Sequence, residues 1–133
     1  MKKIDIACII DDDPIFIFGV KKVMSLAGAC NNFLIYRNGK EALDALSSLI
    51  SANEKLPDII LLDLNMPILD GWQFLERFVK VPVPKKVIIY IVSSSVDPKD
   101  VLRAKSYAMV SNYIVKPITM DKLMSVLEDI ENV

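Results

Sequence analysis

The sequence predicts an α/β fold in which five parallel β-strands alternate with five α-helices. Short apolar runs recur about every 25 to 29 residues, which leaves room for the crossover helix that parallel pairing requires. Signals for helix starts lie between these runs. A length of 133 residues suits one domain. We therefore expect a single domain over residues 1–133, with no second domain that would carry an output.

The five apolar runs mark the predicted strands. Each is short, rich in isoleucine, leucine or valine, and followed by polar or turn-forming residues. Continuous apolar runs of this kind are typical of parallel strands that are covered on both faces. The runs span residues 4–10, 33–36, 59–62, 87–92 and 113–115.

Capping residues indicate where the five helices begin. Asp13-Pro14 and Asp97-Pro98 each place a capping carboxylate before a proline in the first helical turn. Asn38, Asp70 and Thr119 stand at the start of the other three helical patterns. Gly28 follows the first helix as a stop signal.

Apolar residues at helical spacing predict which side of each helix faces the sheet. Trp72 and Phe74, which begin the third helix, are interpreted as packing residues and not as stacking partners of a cofactor. The predicted inward residues are Phe16, Val20, Val23, Met24 and Ala27; Ala42, Leu46, Leu49 and Ile50; Leu75, Phe78 and Val79; and Leu123, Val126, Leu127 and Ile130.

The composition argues against several classes of function. Sixteen basic and seventeen acidic residues give a formal charge of −1, so no basic surface indicates nucleic-acid binding. No apolar stretch approaches the ~20 residues that span a bilayer, and we expect a cytoplasmic protein without a membrane partner. The absence of histidine excludes Ser-His-Asp and Cys-His catalysis within these residues. Cys8 and Cys30 are far apart, and we expect inert, reduced thiols.

Charged residues directly follow three of the predicted strands. Asp11-Asp12-Asp13 follows the first strand, Asp63 follows the third, and Lys116-Pro117 follows the fifth. Parallel strands bring their carboxyl ends to one sheet edge, where ligand crevices form in open α/β folds. Clustered carboxylates repel one another unless a cation such as Mg²⁺ shares the site. Since a lysine would balance phosphate charge, the sequence predicts a phosphoryl-transfer site in which a carboxylate can be the nucleophile.

Four motifs in this order resemble the receiver domain of two-component response regulators. They are the acid pair Asp11-Asp12, the segment from Leu62 to Gly71 containing Asp63-Leu64-Asn65-Met66-Pro67, Val92-Ser93-Ser94, and Tyr113-Ile114-Val115-Lys116-Pro117. The resemblance covers nearly the whole chain. It implies a flavodoxin-like fold, a doubly wound sheet with strand order 2-1-3-4-5. It also implies a signalling module and not an enzyme, apart from catalysis of its own phosphorylation and dephosphorylation.

The resemblance further implies roles for the acidic residues. Asp63 corresponds to the phosphoacceptor. Asp12 corresponds to the direct ligand of a Mg²⁺ cofactor, and Asp11 to a second acid that acts mainly through water. Asn65 would give its backbone carbonyl oxygen to the metal, with Asp63 as a further ligand. Asp13 is interpreted first as the cap of the first helix.

Three other residues correspond to the part of the family site that responds to phosphorylation. Ser93 stands where a hydroxyl binds the phosphoryl group, and Lys116 where a lysine pairs with it. Tyr113 occupies the aromatic position whose exposure changes on activation. Ser93 and Tyr113 together would form the switch.

The implied function is to accept a phosphoryl group from a histidine kinase or histidine phosphotransfer protein and to signal in trans. The downstream target is unknown, and either a diffusible regulator or a phosphorelay intermediate fits, as a monomer or weak dimer. A phosphatase of haloacid-dehalogenase type is one alternative, although it expects an acid where Asn65 stands. A flavodoxin-like cofactor binder is a second alternative, but it would have to bind a phosphate beside Asp11-Asp12-Asp13, and these carboxylates would repel an anion. A degenerate receiver that acts only as an interaction module usually lacks one of the acids, the hydroxyl or the lysine.

Overall fold

The structure, a computed structural model, describes residues 4–131. In these residues five parallel strands form one sheet in the order β2-β1-β3-β4-β5, and a helix follows each strand. The strands are β1 (Ala7–Ile10), β2 (Phe33–Tyr36), β3 (Ile59–Leu62), β4 (Ile88–Ser93) and β5 (Val110–Val115). The helices are α1 (Pro14–Leu26), α2 (Gly39–Ser51), α3 (Gly71–Phe78), α4 (Pro98–Lys105) and α5 (Met120–Glu131).

Two apolar clusters lie on opposite faces of this sheet. Successive side chains of a strand point to opposite faces, so Ile9 belongs to one cluster and Ile10 to the other. Helices α1 and α5 cover the first face, and α2, α3 and α4 cover the second. Of the eight residues of α4, only Ala104 is buried. The predicted doubly wound α/β fold with strand order 2-1-3-4-5 is confirmed.

The predicted helix caps are confirmed by hydrogen bonds. The side chains of Asp13, Asn38, Asp70 and Asp97 accept hydrogen bonds from backbone amides in the first turns of α1 to α4. Thr119 Oγ1 accepts one from the amide of Lys122 at 3.3 Å, at the start of α5.

Two predicted strand boundaries are wrong. β1 begins at Ala7 and not at residue 4, because the Asp58 carboxylate binds the amides of Asp5 and Ile6 at 2.8 and 3.2 Å. β5 begins at Val110 and not at Tyr113, since an edge strand leaves polar side chains facing solvent.

Most predicted core positions are buried or half-buried, with a correction in α3. The side chain of Ile130 lies outside those that the structure describes. Val79 lies at the carboxyl cap of α3 and is 39% exposed, whereas Phe74 is fully buried and completes the apolar face with Leu75. Trp72 is half-buried and stacks on Tyr107 with 6.2 Å between the ring centres, so its packing role is confirmed. Ile17 in α1 is a buried residue that the sequence pattern did not single out.

The cysteines lie within the apolar clusters as free thiols. Cys8 and Cys30 are both buried, and burial raises the pKa of each thiol. Raised thiol pKa values disfavour the reactive thiolate. Among the helices of residues 4–131, none combines the length and apolarity needed to cross a membrane.

Candidate functional site

The carboxyl ends of the strands bring the predicted site residues together at one edge of the sheet. Strand pairing fixes this arrangement, because the amide of Asp63 donates to the carbonyl oxygen of Ile10 at 2.9 Å. On the other side, the amide of Lys116 donates to the carbonyl oxygen of Ser93 at 2.9 Å. The backbone hydrogen bonds of the sheet therefore fix the backbone positions from which these side chains extend.

A cluster of three carboxylates occupies this edge. One carboxylate oxygen from each of Asp11, Asp12 and Asp63 lies within 4.8 Å of the others. Asp11 and Asp63 are buried, whereas Asp12 is exposed at the rim. The cluster thus combines two desolvated acids with one that stays in contact with water.

Asp11 is 1% exposed and holds the turn that leads into α1. Its Oδ1 accepts a hydrogen bond from the amide of Asp13 at 2.9 Å. Its Oδ2 forms an ion pair with Lys116 Nζ at 2.8 Å. Burial raises the pKa of Asp11, although the Lys116 ammonium and the Asp13 amide oppose that shift.

Asp63 is 6% exposed and lies directly after β3. Its Oδ1 accepts a hydrogen bond from the amide of Leu64 at 2.9 Å, and its Oδ2 lies 3.8 Å from Lys116 Nζ. Burial and the neighbouring charge of Asp11 raise the pKa of Asp63 to about 6, against the opposing effect of Lys116. The negative charge at this edge therefore exceeds what one lysine balances.

Lys116 extends from the end of β5 toward both buried acids, and its side chain is 17% exposed. Its Nζ is closer to Asp11 than to Asp63 and lies 4.4 Å from the centre of the Phe16 ring. The Lys116–Pro117 peptide bond is cis. The ammonium thus has three neighbours: the carboxylates of Asp11 and Asp63 and the ring of Phe16.

The two predicted switch residues meet at a third residue, Ser95. Ser93 is fully buried, and its Oγ accepts a hydrogen bond from the Ser95 amide at 3.2 Å. The Tyr113 hydroxyl donates to the carbonyl oxygen of Ser95 at 2.9 Å. Ser95 Oγ in turn donates to Asp100 of α4 at 2.6 Å. The sequence offered only the neighbouring hydroxyls of Ser94 and Ser95 as a signal for this connection.

The remaining two predicted residues lie at the rim. Asp13 is exposed and accepts a hydrogen bond from the amide of Ile15 at 3.0 Å, which confirms its interpretation as a helix cap. Asn65 is exposed on the loop after Asp63. Its backbone amide is among the groups that oppose the raised pKa of Asp63.

Gly71 is a residue of the site for which the sequence analysis gave no role. Its amide donates to the carbonyl oxygen of Leu64 at 3.0 Å. A Cβ atom at Gly71 would lie 2.8 Å from Leu64 Cα and would collide with the carbonyl oxygen of Asp63. Because glycine has no Cβ atom, the start of α3 can pack directly against the backbone of Asp63 and Leu64. The Asp70-Gly71 pair in the motif was the available signal.

Comparison with known proteins identifies the family. The model of the response regulator receiver domain matches residues 7–128. The chain belongs to this family. Receiver domains are modules of two-component signalling and not classical enzymes. This membership argues against the haloacid-dehalogenase and flavodoxin-like cofactor-binding alternatives, whereas a degenerate receiver would belong to the same family.

Individual relatives agree with this assignment. The chain is 30% identical over 95 residues to the probable methanogenesis regulatory protein FilR2 of Methanothrix harundinacea, covering 71% of this chain and 61% of FilR2. It is 29% identical over 119 residues to the nitrate/nitrite response regulator NarL of Escherichia coli K12, covering 90% of this chain and 51% of NarL. The chain thus spans about half the length of the curated relatives it matches.

A solved structure extends the similarity to nearly the whole chain. The two-component response regulator from Cytophaga hutchinsonii superimposes with a TM-score of 0.89 at 30% sequence identity. The match covers 99% of this chain and 100% of that chain.

Proposed function

We propose that Asp63 accepts a phosphoryl group from the phosphohistidine of a histidine kinase or histidine phosphotransfer protein. The observation that carries the proposal is the position of Asp63, a buried carboxylate beside both Asp11 and Lys116. Asp63 has an ordered position, a neighbouring cation and only a few fixed hydrogen bonds. These are properties of a nucleophile, and not of an acid that serves as a structural tie.

The proposed reaction is a displacement at phosphorus. An oxygen of the ionised Asp63 carboxylate forms a bond to phosphorus while the bond between phosphorus and the donor imidazole nitrogen breaks. That nitrogen keeps the electron pair and takes up a proton from solvent. Lys116 Nζ, 3.8 Å from Asp63 Oδ2, can balance charge on the phosphoryl oxygens. Since the 133 residues contain no histidine, the donor in this proposal is another protein.

The site also fits a Mg²⁺ ion. The donor set is made of carboxylate oxygens, which Mg²⁺ prefers, and the exposed side of Asp12 leaves room for retained waters. Three carboxylates face the single ammonium of Lys116, and the raised pKa values of Asp11 and Asp63 agree with this shortage of positive charge. Asp12, Asp63 and the Asn65 backbone carbonyl would hold the ion, and Asp11 would act mainly through water. When bound, Mg²⁺ supplies positive charge beside the phosphoryl oxygens.

Signal output is proposed to run through Ser93 and Tyr113. A phosphoryl group on Asp63 offers strong acceptors that can draw in the Ser93 hydroxyl, which now accepts a bond from the Ser95 amide. The Tyr113 hydroxyl holds the same Ser95 from the other side. A change at Ser93 therefore biases the loop between β4 and α4, which leads into the face formed by α4, β5 and α5 that a downstream partner would bind.

Phosphorylation of Asp63 is tested with acetyl phosphate and Mg²⁺, followed by mass spectrometry of the intact protein. Wild-type protein should gain one phosphoryl group, and Asp63→Asn should gain none. Asp58→Asn is the matched control, because Asp58 lies at the opposite edge of the sheet. Full labelling of Asp63→Asn would contradict the assignment, and an unlabelled wild type would favour the degenerate receiver.

The metal ligands are tested by titrating Mg²⁺ while recording the fluorescence of Trp72, which directly follows Gly71 at the start of α3. Asp12→Ala should weaken both Mg²⁺ binding and phosphorylation. The control is Asp13→Asn, which keeps a helix-capping side chain next to the altered position. Equal Mg²⁺ dependence in wild type and Asp12→Ala would remove Asp12 from the ligand set.

A further inference from the structure

The aromatic ring of Phe16 is a neighbour of Lys116 to which the proposed function gives no role. The centre of the ring lies 4.4 Å from Lys116 Nζ. A cation within about 6 Å of a ring centre is attracted by the negative face of the aromatic system. Phe16 is only half-buried, and it lines a cleft of about 410 Å³ beside Lys116 and Pro117.

The fold places Phe16 in this position through the start of α1. The helix begins directly after the acid cluster, and the Asp13 cap fixes its first turn. Ile17 and Val20 are buried and anchor the helix against the sheet. With these residues turned inward, the neighbouring Phe16 ring packs at the border of the core and reaches the side chain that leaves β5.

In the proposed function, the Lys116 ammonium interacts with Asp11 and also with a phosphoryl group on Asp63. Its ammonium lies 2.8 Å from Asp11 Oδ2 and 3.8 Å from Asp63 Oδ2, so it pairs mainly with Asp11 in the unphosphorylated protein. A phosphoryl group on Asp63 would add strong acceptor oxygens on the Asp63 side of the ammonium, and a turn toward them would lengthen the contact with Asp11. A lysine side chain is flexible, and its three donors can turn about the nitrogen. A ring face attracts the ammonium without fixing the direction of any N–H bond.

We infer that Phe16 is a positioning residue, whose ring face holds the Lys116 ammonium between Asp11 and Asp63 and allows it to turn from one to the other. The inference rests on the proposed function, because it concerns the lysine that would meet the phosphoryl group. It concerns a contact of α1 with the end of β5 and does not depend on Ser93 or Tyr113.

Three variants separate this role from ordinary packing. Phe16→Leu keeps an apolar side chain but removes the ring face, whereas Phe16→Tyr and Phe16→Trp retain an aromatic face. Acetyl phosphate is the donor, since it avoids any contact with a protein donor. We expect Phe16→Leu to lower the phosphorylation rate constant about three- to tenfold, with both aromatic variants within about twofold of wild type. If packing alone mattered, Phe16→Leu would match or exceed the aromatic variants.

A spectroscopic readout tests the contact without phosphorylation. NMR signals of the Lys116 Cε protons should be shifted upfield by the ring in wild type and Phe16→Tyr, and should lose that shift in Phe16→Leu. Unchanged shifts in Phe16→Leu, in a folded protein, would overturn the inference.

The two proposals fail in different ways. Asp63→Asn, measured beside these variants, tests the phosphoacceptor alone. If Asp63→Asn is inert but Phe16→Leu reacts like wild type, only the role of Phe16 is wrong. If Asp63→Asn still accepts the phosphoryl group, the proposed function is wrong, and the role of Phe16 in it falls as well.

Discussion

The amino-terminal and carboxyl-terminal ends of the strands form two edges of the sheet, and each of these edges places aspartates next to lysine. The two edges balance the charges of their aspartates differently. At the amino-terminal edge, Asp58 accepts hydrogen bonds from the amides of Asp5 and Ile6, and its other oxygen lies 2.6 Å from Lys85 Nζ. Asp58 therefore has the Lys85 ammonium as its own ion-pair partner. At the carboxyl-terminal edge, Asp11 and Asp63 share the single ammonium of Lys116.

The pKa directions express this difference. Burial would raise the pKa of Asp58, but its hydrogen bonds from Lys85 and the two amides outweigh burial, and the pKa is lowered. Burial raises the pKa of both Asp11 and Asp63, and their partners do not reverse it. The first edge therefore stabilises the fold, whereas the second holds charge that a cation and a phosphoryl group could complete.

The largest expected effect is on chemistry. Lys116→Met should lower the rate of phosphorylation by acetyl phosphate about 100-fold or more, because it removes the cation that faces the reacting oxygens. Lys85→Met removes a lysine of similar pairing distance at the other edge and should leave that rate within about twofold. The rates are compared by intact mass against time. Equal losses in the two variants would show that the edges are not functionally distinct.

The second effect is on stability, and the two edges should give opposite signs. At neutral pH without metal, Asp63→Asn should raise the free energy of unfolding by roughly 1 to 2 kcal/mol, since it removes a buried, poorly balanced charge. Asp58→Asn should lower it by about 1 kcal/mol, a value reduced for the partial exposure of the ion pair. Urea unfolding measures both. A destabilised Asp63→Asn protein would contradict the contrast.

The third expectation is that the stabilisation of the protein by Asp63→Asn depends on pH. The pKa of Asp63 is raised to about 6 in the folded protein, above its value in the unfolded chain. Between about pH 4 and pH 6 the folded state then binds more protons, so this residue makes stability fall as pH rises. Asp58 acts oppositely: its lowered pKa gives stability that is lost as pH falls below about 4.

Metal-free urea titrations at several pH values test this expectation. The stability advantage of Asp63→Asn over wild type should be small near pH 4 and largest above pH 6. A constant difference across that range would show that titration of Asp63 is not its cause.

The smallest effect belongs to the amino-terminal edge. Lys55 and Asp5 form an ion pair of 2.6 Å in which both side chains are largely exposed. Solvent screens such a pair, so Lys55→Ala should leave the urea midpoint unchanged within error. A clear loss of stability would mean that this edge depends on its outer ion pair as well as on Asp58.

The alternation of elements and most of the site could be predicted because they depend on local patterns. Asp13 caps a helix through its own neighbours, and Asp63 reaches the site because it directly follows a buried strand. The start of β1 was misplaced because Asp58, distant in sequence, captures the amides of Asp5 and Ile6. Such a side-chain contact leaves no periodic signal.

The same limit applies to three residues of the site. The roles of Phe16, Gly71 and Ser95 come from contacts between separate elements. The pattern placed Phe16 on the inner side of α1 but could not show that its ring meets a lysine from the far end of the chain. Strand order came from family resemblance, since apolar spacing alone does not determine which strands are neighbours.

The small number of buried residues in α4 has a consequence for how readily this helix opens. Helices α3 and α4 are both eight residues long, but α3 buries Gly71, Phe74, Leu75 and Phe78, whereas α4 buries only Ala104 and leaves Leu102 66% exposed. The free energy of local opening follows buried apolar contact. Backbone amides of α4 should therefore exchange their hydrogens with solvent sooner than those of α3. Because so few buried contacts hold α4, a small change in the loop that precedes it can displace the helix.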